Sequence, residues 1–251
     1  MNIDFSKIIC AIDNIYFRII RKKITAEYDL PDGFTVTYHA GAMHTPANSI
    51  CSIKAAIEAD AQVVEFDVSF RPDGTPVIIH NSEPNSSQGV FLENALEVVA
   101  SHPSCKINLD IKSMKNLGAV DELVKLYGLT ERVFYTGVFE DWVETVRNTS
   151  DISYYLNHKI TAEEASDPIL AQSVADKAKE LGAIGINSHF KFASRMFTDI
   201  MHKNGLLVSL WTVNNPSDMP KVLSAYPDNV TTKRPQILRQ ISSQAKSPSS
   251  K

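Results

Sequence analysis

From Phe34 onward the chain alternates short β-branched runs with stretches of helical periodicity, and this alternation constrains the fold of its 251 residues more than any other feature. The strand runs are 34–39 (FTVTYH), 62–69 (QVVEFDVS), 76–80 (PVIIH), 106–111 (KINLDI), 132–136, 152–156, 183–187 (AIGIN) and 206–212 (LLVSLWT). Between them apolar residues recur at intervals of three and four, as in Ile50, Ile53 and Ile57, in Leu117, Val120, Val124 and Tyr127, and in Ala193, Met196, Phe197 and Ile200. Each such segment reads as a helix with one buried face. Strand followed by helix, repeated, implies a parallel sheet. Eight strand runs in a chain of this length predict one α/β domain, a closed (β/α)8 barrel, with an open doubly wound sheet as the alternative.

Charge narrows the partners. With 25 Lys+Arg against 29 Asp+Glu the net charge is −4, which provides no positive face for nucleic acid. The apolar stretch Ile8 to Ile20 is interrupted by Asp13, Asn14 and Arg18, so no segment supplies the roughly 20 clean apolar residues of a membrane span. Residues 3–23 place Phe5, Ile8, Ile9, Ile12, Tyr16, Ile19 and Ile20 at helical spacing and end in Arg21, Lys22 and Lys23. Basic residues suit a helix C-terminus, so this reads as an amphipathic helix packed across the barrel bottom or on a neighbouring subunit, in preference to a membrane-surface helix. The expected organisation is helix and linker over 1–30, barrel over 31–242 and a disordered polar tail over 243–251. An acid at Asp4 and the lack of a small-residue cleavage site argue against a secretory signal, so a cytoplasmic location is expected. Cys10, Cys51 and Cys105 form no C-x-x-C pair and are read as small buried hydrophobes rather than as a disulfide or thiolate site.

Parallel α/β folds build their sites where strands end, so a polar side chain closing an apolar strand is informative. His39, His80 and Trp211 close strand runs, and Glu65, Asp67, Asp110 and Lys112 lie within or just beyond them. Side chains alternate across a strand, so Glu65 and Asp67 share one face, as do Asp110 and Lys112. Three carboxylates at one barrel mouth repel unless a cation compensates, and all-oxygen ligands favour Mg²⁺ or Ca²⁺. The alternative places Glu65 and Asp67 on an exposed face with Asp110 paired to Lys112. The Asp73-Gly74 pair predicts a two-residue hairpin turn, whose register would set Asp67 opposite His80. His44, His102, His158, His189 and His202 read as surface or core residues.

The string HAGAMHTPANSICSIKAAIEADAQVVEFDVSFRPDGTPVIIHN at 39–81 resembles the glycerophosphodiester phosphodiesterase family, whose pattern runs H-R-G, E-N-T, E-x-D-V and D-G-x-P-V-x-x-H-D. NLDIKS (108–113) resembles the family's E-I-K, SLWTVNN (209–215) its W-T-V-N and NVTTKRP (229–235) its terminal I-T-D-R-P. The resemblance implies a TIM-type barrel and metal-dependent cleavage of a phosphodiester. It further implies that His39 and His80 are the acid–base pair, Glu65, Asp67 and Asp110 metal ligands, Lys112 a phosphate or carboxylate partner and Trp211 a wall of the substrate pocket. Departures are Ala40 for the Arg of H-R-G, Ala47 for the Glu of E-N-T, Asp110 for the Glu of E-I-K and Lys233 for the Asp of T-D-R-P. The stretch after His80 is brief and lacks the family's insertion, which predicts a more open pocket or one closed by another chain. The pattern is also similar to spider-venom phospholipase D toxins, which are thought to release cyclic phosphates. The resulting reading is a hydrolase of glycerophosphodiesters or similar lipid-derived phosphodiesters. A barrel that binds a phosphodiester or polyol without turnover, and a lyase releasing a cyclic phosphate, are the other two.

Overall fold

The computed structural model describes residues 28–243. The amphipathic helix expected over 3–23 and the tail from 244 onward lie outside the described residues. The first half of the described chain comprises β1 (Thr35–Tyr38), α1 (Ile50–Glu58), β2 (Val63–Phe70), β3 (Pro76–Ile78), β4 (Val90–Phe91), α2 (Leu92–Ala100), β5 (Lys106–Ile111) and α3 (Leu117–Leu126). The second half comprises β6 (Val133–Val138), α4 (Val143–Thr149), β7 (Tyr154–Asn157), α5 (Pro168–Glu180), β8 (Gly185–His189), α6 (Arg195–Lys203), β9 (Leu207–Trp211), α7 (Met219–Ser224), β10 (Asn229–Thr232) and α8 (Pro235–Ser242).

Strands β1, β2, β5, β6, β7, β8, β9 and β10 pair in parallel, and β1 bonds to both β10 and β2, which closes the ring. The (β/α)8 barrel expected from the alternation is therefore present, with one member exchanged. The run at 76–80 is not a barrel strand: β3 folds back antiparallel on β2 and, with β4, forms an appendage outside the ring. The eighth barrel strand is Asn229–Thr232, which has one apolar residue, Val230, and is not among the strand runs of the sequence. The hairpin also differs by one residue. Phe70 pairs with Pro76 and Val68 with Ile78, a three-residue loop in which Gly74 takes a positive φ of 86°. A type I turn followed by a left-handed glycine gives this loop. Asp67 thus stands opposite Ile79, whose N–H donates to the Asp67 carbonyl at 3.0 Å.

Helix faces bury as the periodicity requires. Ile53 of α1, Leu117, Val120 and Val124 of α3 and Phe197 of α6 are all buried against the outside of the ring. The inside of the ring beneath the mouth is unusually polar for such a barrel, where branched apolar residues normally dominate. Asn229 Nδ2 donates to Thr37 Oγ1 at 2.7 Å and Thr35 Oγ1 at 2.8 Å, and its Oδ1 accepts from Ser209 Oγ at 3.1 Å. Thr136 Oγ1 donates to Asn108 Oδ1 at 2.9 Å, and Asn187 Nδ2 to Asn157 Oδ1 at 2.8 Å. Each of these buried groups is paired to a neighbouring strand, which avoids the cost of an unsatisfied polar atom and fixes the register of the strands that carry the site. Cys105 is buried, its thiol pushed up to about 11 by burial, whereas Cys51 is exposed on α1, against the expectation for it.

Candidate active site

All seven residues singled out from the sequence line one cavity of about 860 Å³ at the C-terminal ends of the barrel strands: His39, Glu65, Asp67, His80, Asp110, Lys112 and Trp211. Glu65 and Asp67 project inward from β2 and Asp110 from β5. The register sets Asp67 directly beside Asp110. One oxygen from each of Glu65, Asp67 and Asp110 lies within 4.8 Å of the others, a set that can hold a divalent cation. The alternative of an exposed strand face is thereby excluded, since Glu65 and Asp67 are only 5% and 4% exposed. Lys112 does pair with Asp110, Nζ to Oδ2 at 2.6 Å, and also with Asp67 Oδ1 at 3.0 Å.

One ammonium set against three carboxylates leaves the cluster short of positive charge. Glu65 carries the consequence: burial first, then the charges of Asp67 and Asp110, raise its pKa well above the ordinary carboxylate range. Asp67 goes the other way. Burial pushes it up, but Lys112 and the hydrogen bond from Asn48 outweigh burial and hold it below the usual value. A buried acid that resists ionisation beside two others, all offering oxygen, fits a hard divalent ion.

The two histidines reach the cluster by different routes. His39 follows β1, where its N–H donates to the Thr232 carbonyl at 3.1 Å and its ring Nδ1 lies 3.0 Å from the Ala40 carbonyl. Burial lowers its pKa, with the Lys233 charge acting in the same direction. His80 lies two residues beyond β3, where a bend returns the imidazole to Asp67, Nδ1 to Oδ2 at 3.2 Å. The expected Asp67–His80 proximity is present, although the register that suggested it is not. The bend compensates for the one-residue difference in the hairpin.

Asn48 is a site residue that the sequence reading did not select. Its Nδ2 donates to Asp67 Oδ2 at 2.7 Å and its Oδ1 accepts from the Asp67 N–H at 2.9 Å, a two-point clamp on Asp67 that holds both its carboxylate and its backbone. Its φ of 52° is left-handed, a conformation asparagine tolerates better than most residues. The signal was present as the middle letter of E-N-T, retained here as Ala47-Asn48-Ser49. The same segment starts α1, with Ser49 Oγ accepting from the Ser52 N–H at 3.1 Å. Ala40, in place of the family's Arg, contributes its backbone: its N–H donates to Glu65 Oε2 at 2.7 Å. Gly137 on β6 is required beside Asp110, because a Cβ there would collide with Asp110 Oδ1 and the Ile111 carbonyl.

The opposite wall of the cavity comes from β6 to β9 and the loops that follow them. Phe139, Trp142, Ile160, Phe192 and Trp211 line it, with Lys159 and Lys191 at its edge. His158 and His189 line it too, the first half-buried and the second exposed. His158 Nε2 pairs with Glu164 at 3.0 Å, and His189 stacks on Phe190 and meets Trp211 edge-on. The buried indole N–H of Trp211 has no partner among the described residues. Phe139 remains half exposed at the rim.

The glycerophosphoryl diester phosphodiesterase family matches this chain over residues 39–90 and 83–237. The chain belongs to that family. A glycerophosphodiester phosphodiesterase from Caldanaerobacter subterraneus subsp. tengcongensis is 22% identical over 241 residues, covering 81% of this chain and 95% of the relative. Among solved structures, a glycerophosphodiester phosphodiesterase from Parabacteroides distasonis superimposes with a TM-score of 0.67 at 20% identity, covering 87% of this chain and 98% of that one. A phosphodiesterase from Oleispira antarctica, in complex with the product sn-glycerol-3-phosphate, gives a TM-score of 0.67 at 18% identity, covering 84% and 96%. At these identities the structural likeness establishes the barrel alone. Among the described residues no helix is long and apolar enough to cross a membrane.

Proposed function

We propose that the chain is a metal-dependent phosphoric diester hydrolase acting on glycerophosphodiesters or similar lipid-derived phosphodiesters, with His39 and His80 as its acid–base pair. The observation that carries this reading is convergence: one cavity holds His39, a His80–Asp67 pair at 3.2 Å and three carboxylates with ligand atoms within 4.8 Å of one another. The name of the Caldanaerobacter relative and the product held by the Oleispira enzyme support the substrate class.

Glu65, Asp67 and Asp110 would hold Mg²⁺ or Ca²⁺, which when bound supplies Lewis-acid stabilisation to a phosphoryl oxygen. The remaining chemistry belongs to the chain. His39, kept neutral at pH 7 by burial, takes the proton of the attacking hydroxyl. The bond from phosphorus to the leaving oxygen breaks, and that oxygen takes a proton from His80, which Asp67 orients through Nδ1. Lys112 holds Asp67 and Asp110 in place, and Trp211 walls the pocket. Attack by water releases a monoester; attack by a neighbouring glycerol hydroxyl releases a cyclic phosphate.

A second reading, a barrel that binds a phosphodiester or polyol without cleaving it, draws on Ala40 and Ala47 and on the Lys112 ammonium already seated against two of the acids. One experiment separates the three readings. Purified protein is given glycerophosphocholine or glycerophosphoethanolamine with Mg²⁺, Ca²⁺ or a chelator, and products are followed by phosphorus NMR. Metal-dependent turnover supports the enzyme, and the product signal distinguishes hydrolase from lyase. Turnover unaffected by the chelator overturns the metal role, and ligand binding without turnover favours the binding barrel.

A further inference from the structure

Three lysines line the cavity at the barrel mouth, and a fourth, Lys233, lies just outside that lining. Lys112 is paired to Asp67 and Asp110, while Lys159 and Lys191 edge the apolar wall, Lys191 with its Nζ 5.0 Å from the centre of the Phe192 ring. Lys233 is placed differently. β1 and β10 pair with Tyr38 opposite Thr232, so the next step sets Lys233 beside His39. The inward positions of the two strands alternate together. Asn229 bonds to Thr37 inside the ring and Thr231 and His39 line the cavity, while Lys233 sits at a bend one residue past β10, exposed and just outside that lining. Its backbone is held on both sides, the N–H donating to Asn214 Oδ1 at 2.8 Å and the carbonyl accepting from the Met43 N–H at 3.1 Å. Among the described residues its ammonium takes part in no ion pair, and it is exposed at the rim. Its charge is felt at His39, where it opposes protonation.

The loop after β1 supplies no cation of its own, since Ala40 is a buried methyl group. The family pattern has Arg at that position and Asp at the position of Lys233. In this chain both are changed, and the strands that carry them are neighbours. A positive charge is thus lost from the end of one strand and gained at the end of the next.

We infer that Lys233 binds a non-bridging oxygen of the substrate phosphate, placing on the end of β10 the cation that position 40 lacks. This rests on the phosphodiesterase reading above. The ammonium is a point charge on a flexible stem, so it can reach an anion held between His39 and the acidic cluster without the fixed fork geometry of arginine.

The test is calorimetric titration of sn-glycerol 3-phosphate, in Mg²⁺, into the wild-type protein and the Lys233→Arg, Lys233→Met and Lys233→Glu variants, alongside steady-state kinetics with glycerophosphocholine. A hydrogen bond to a charged group predicts at least about tenfold weaker binding for Lys233→Met and a larger loss for Lys233→Glu. Lys233→Arg should stay within about threefold of wild type, and KM should rise more than kcat falls. Because the side chain is exposed, unchanged circular dichroism is expected throughout. Lys233→Met binding as tightly as wild type, or losses that do not follow the sign of the charge, would overturn the inference and leave the phosphodiesterase reading intact. A wild-type protein that neither binds sn-glycerol 3-phosphate nor cleaves a phosphodiester overturns both.

Discussion

The two halves of the barrel mouth are built to opposite specifications. The half formed by β1, β2 and β5 carries three acids, Lys112 and His39, with His80 leaning in from the hairpin; the half formed by β6 to β9 is walled by Phe139, Trp142, Ile160, Phe192 and Trp211. In the charged half every group has a named partner: Asn48 on Asp67, Lys112 on Asp67 and Asp110, Ala40 N–H on Glu65. The apolar half has rings that meet edge-on instead, with Lys159 and Lys191 at its edge. Buried charges need directional partners, whereas apolar surface needs only to be shielded from water. A change in the first half should therefore damage the chemistry, and a change in the second should retune what is held beside it.

The contrast is tested most severely by the histidines. His39→Ala and His80→Ala should each lower kcat/KM by about 10² to 10⁴, the usual scale for a general acid or base, with the melting temperature little changed. The acid limb of the wild-type pH profile should lie below the ordinary imidazole value of about 6.5, because burial penalises the protonated ring of His39. A limb at or above that value would remove His39 as the base. Next in size is Asn48→Ala. Loss of the clamp on Asp67 should weaken divalent-metal affinity by about 10- to 100-fold, measured by titration calorimetry, while the fold survives.

Across the cavity, Phe139→Ala should raise KM several-fold with kcat unchanged, the signature of binding energy common to ground and transition states. A fall in kcat equal to that of the histidine variants would erase the distinction between the halves. The smallest effect is on stability and runs against intuition. Glu65 has a raised pKa in the folded protein, so without metal its ionisation costs stability. The cost is absent below the unfolded value of about 4.3 and grows as pH rises toward the folded one. Glu65→Gln should therefore melt higher than wild type in a chelator at pH 7, by roughly 2 °C or more, with the gain vanishing near pH 4. Added Mg²⁺ or Ca²⁺ should reverse the order.

The same division explains what could be read from the sequence. Glu65, Asp67, Asp110 and Lys112 were legible because a charge inside a β-branched run is expensive and so demands an explanation. Trp211 was the one member of the apolar wall found in advance, because it closes a strand. Phe139, Trp142 and Phe192 come from the loops and short helical turns after β6 and β8, where no period marks them, and an aromatic residue there looks like any other. Asn48 was missed for a related reason: its importance lies in a pair of hydrogen bonds made nineteen residues along the chain. Among the strands, β10 hid because its inward residues Asn229 and Thr231 are polar, while β3 stood out by being apolar and yet lies outside the ring. Apolar content identifies burial, not membership of the barrel, and only the pairing partners distinguish the two.

The hairpin has a further consequence. β2 runs for eight residues, and its last two, Ser69 and Phe70, pair only with β3, so the strand projects past the ring like a cantilever. One histidine is anchored to the ring and the other is carried on this projection. A residue gained or lost in the 72–74 turn would change the spacing of the two imidazoles without breaking any hydrogen bond that closes the barrel. Selection can therefore act on reactivity and on foldability as two nearly independent traits, and an engineer wishing to move the chemistry toward bulkier diesters has a part of the molecule to lengthen that the scaffold does not depend on.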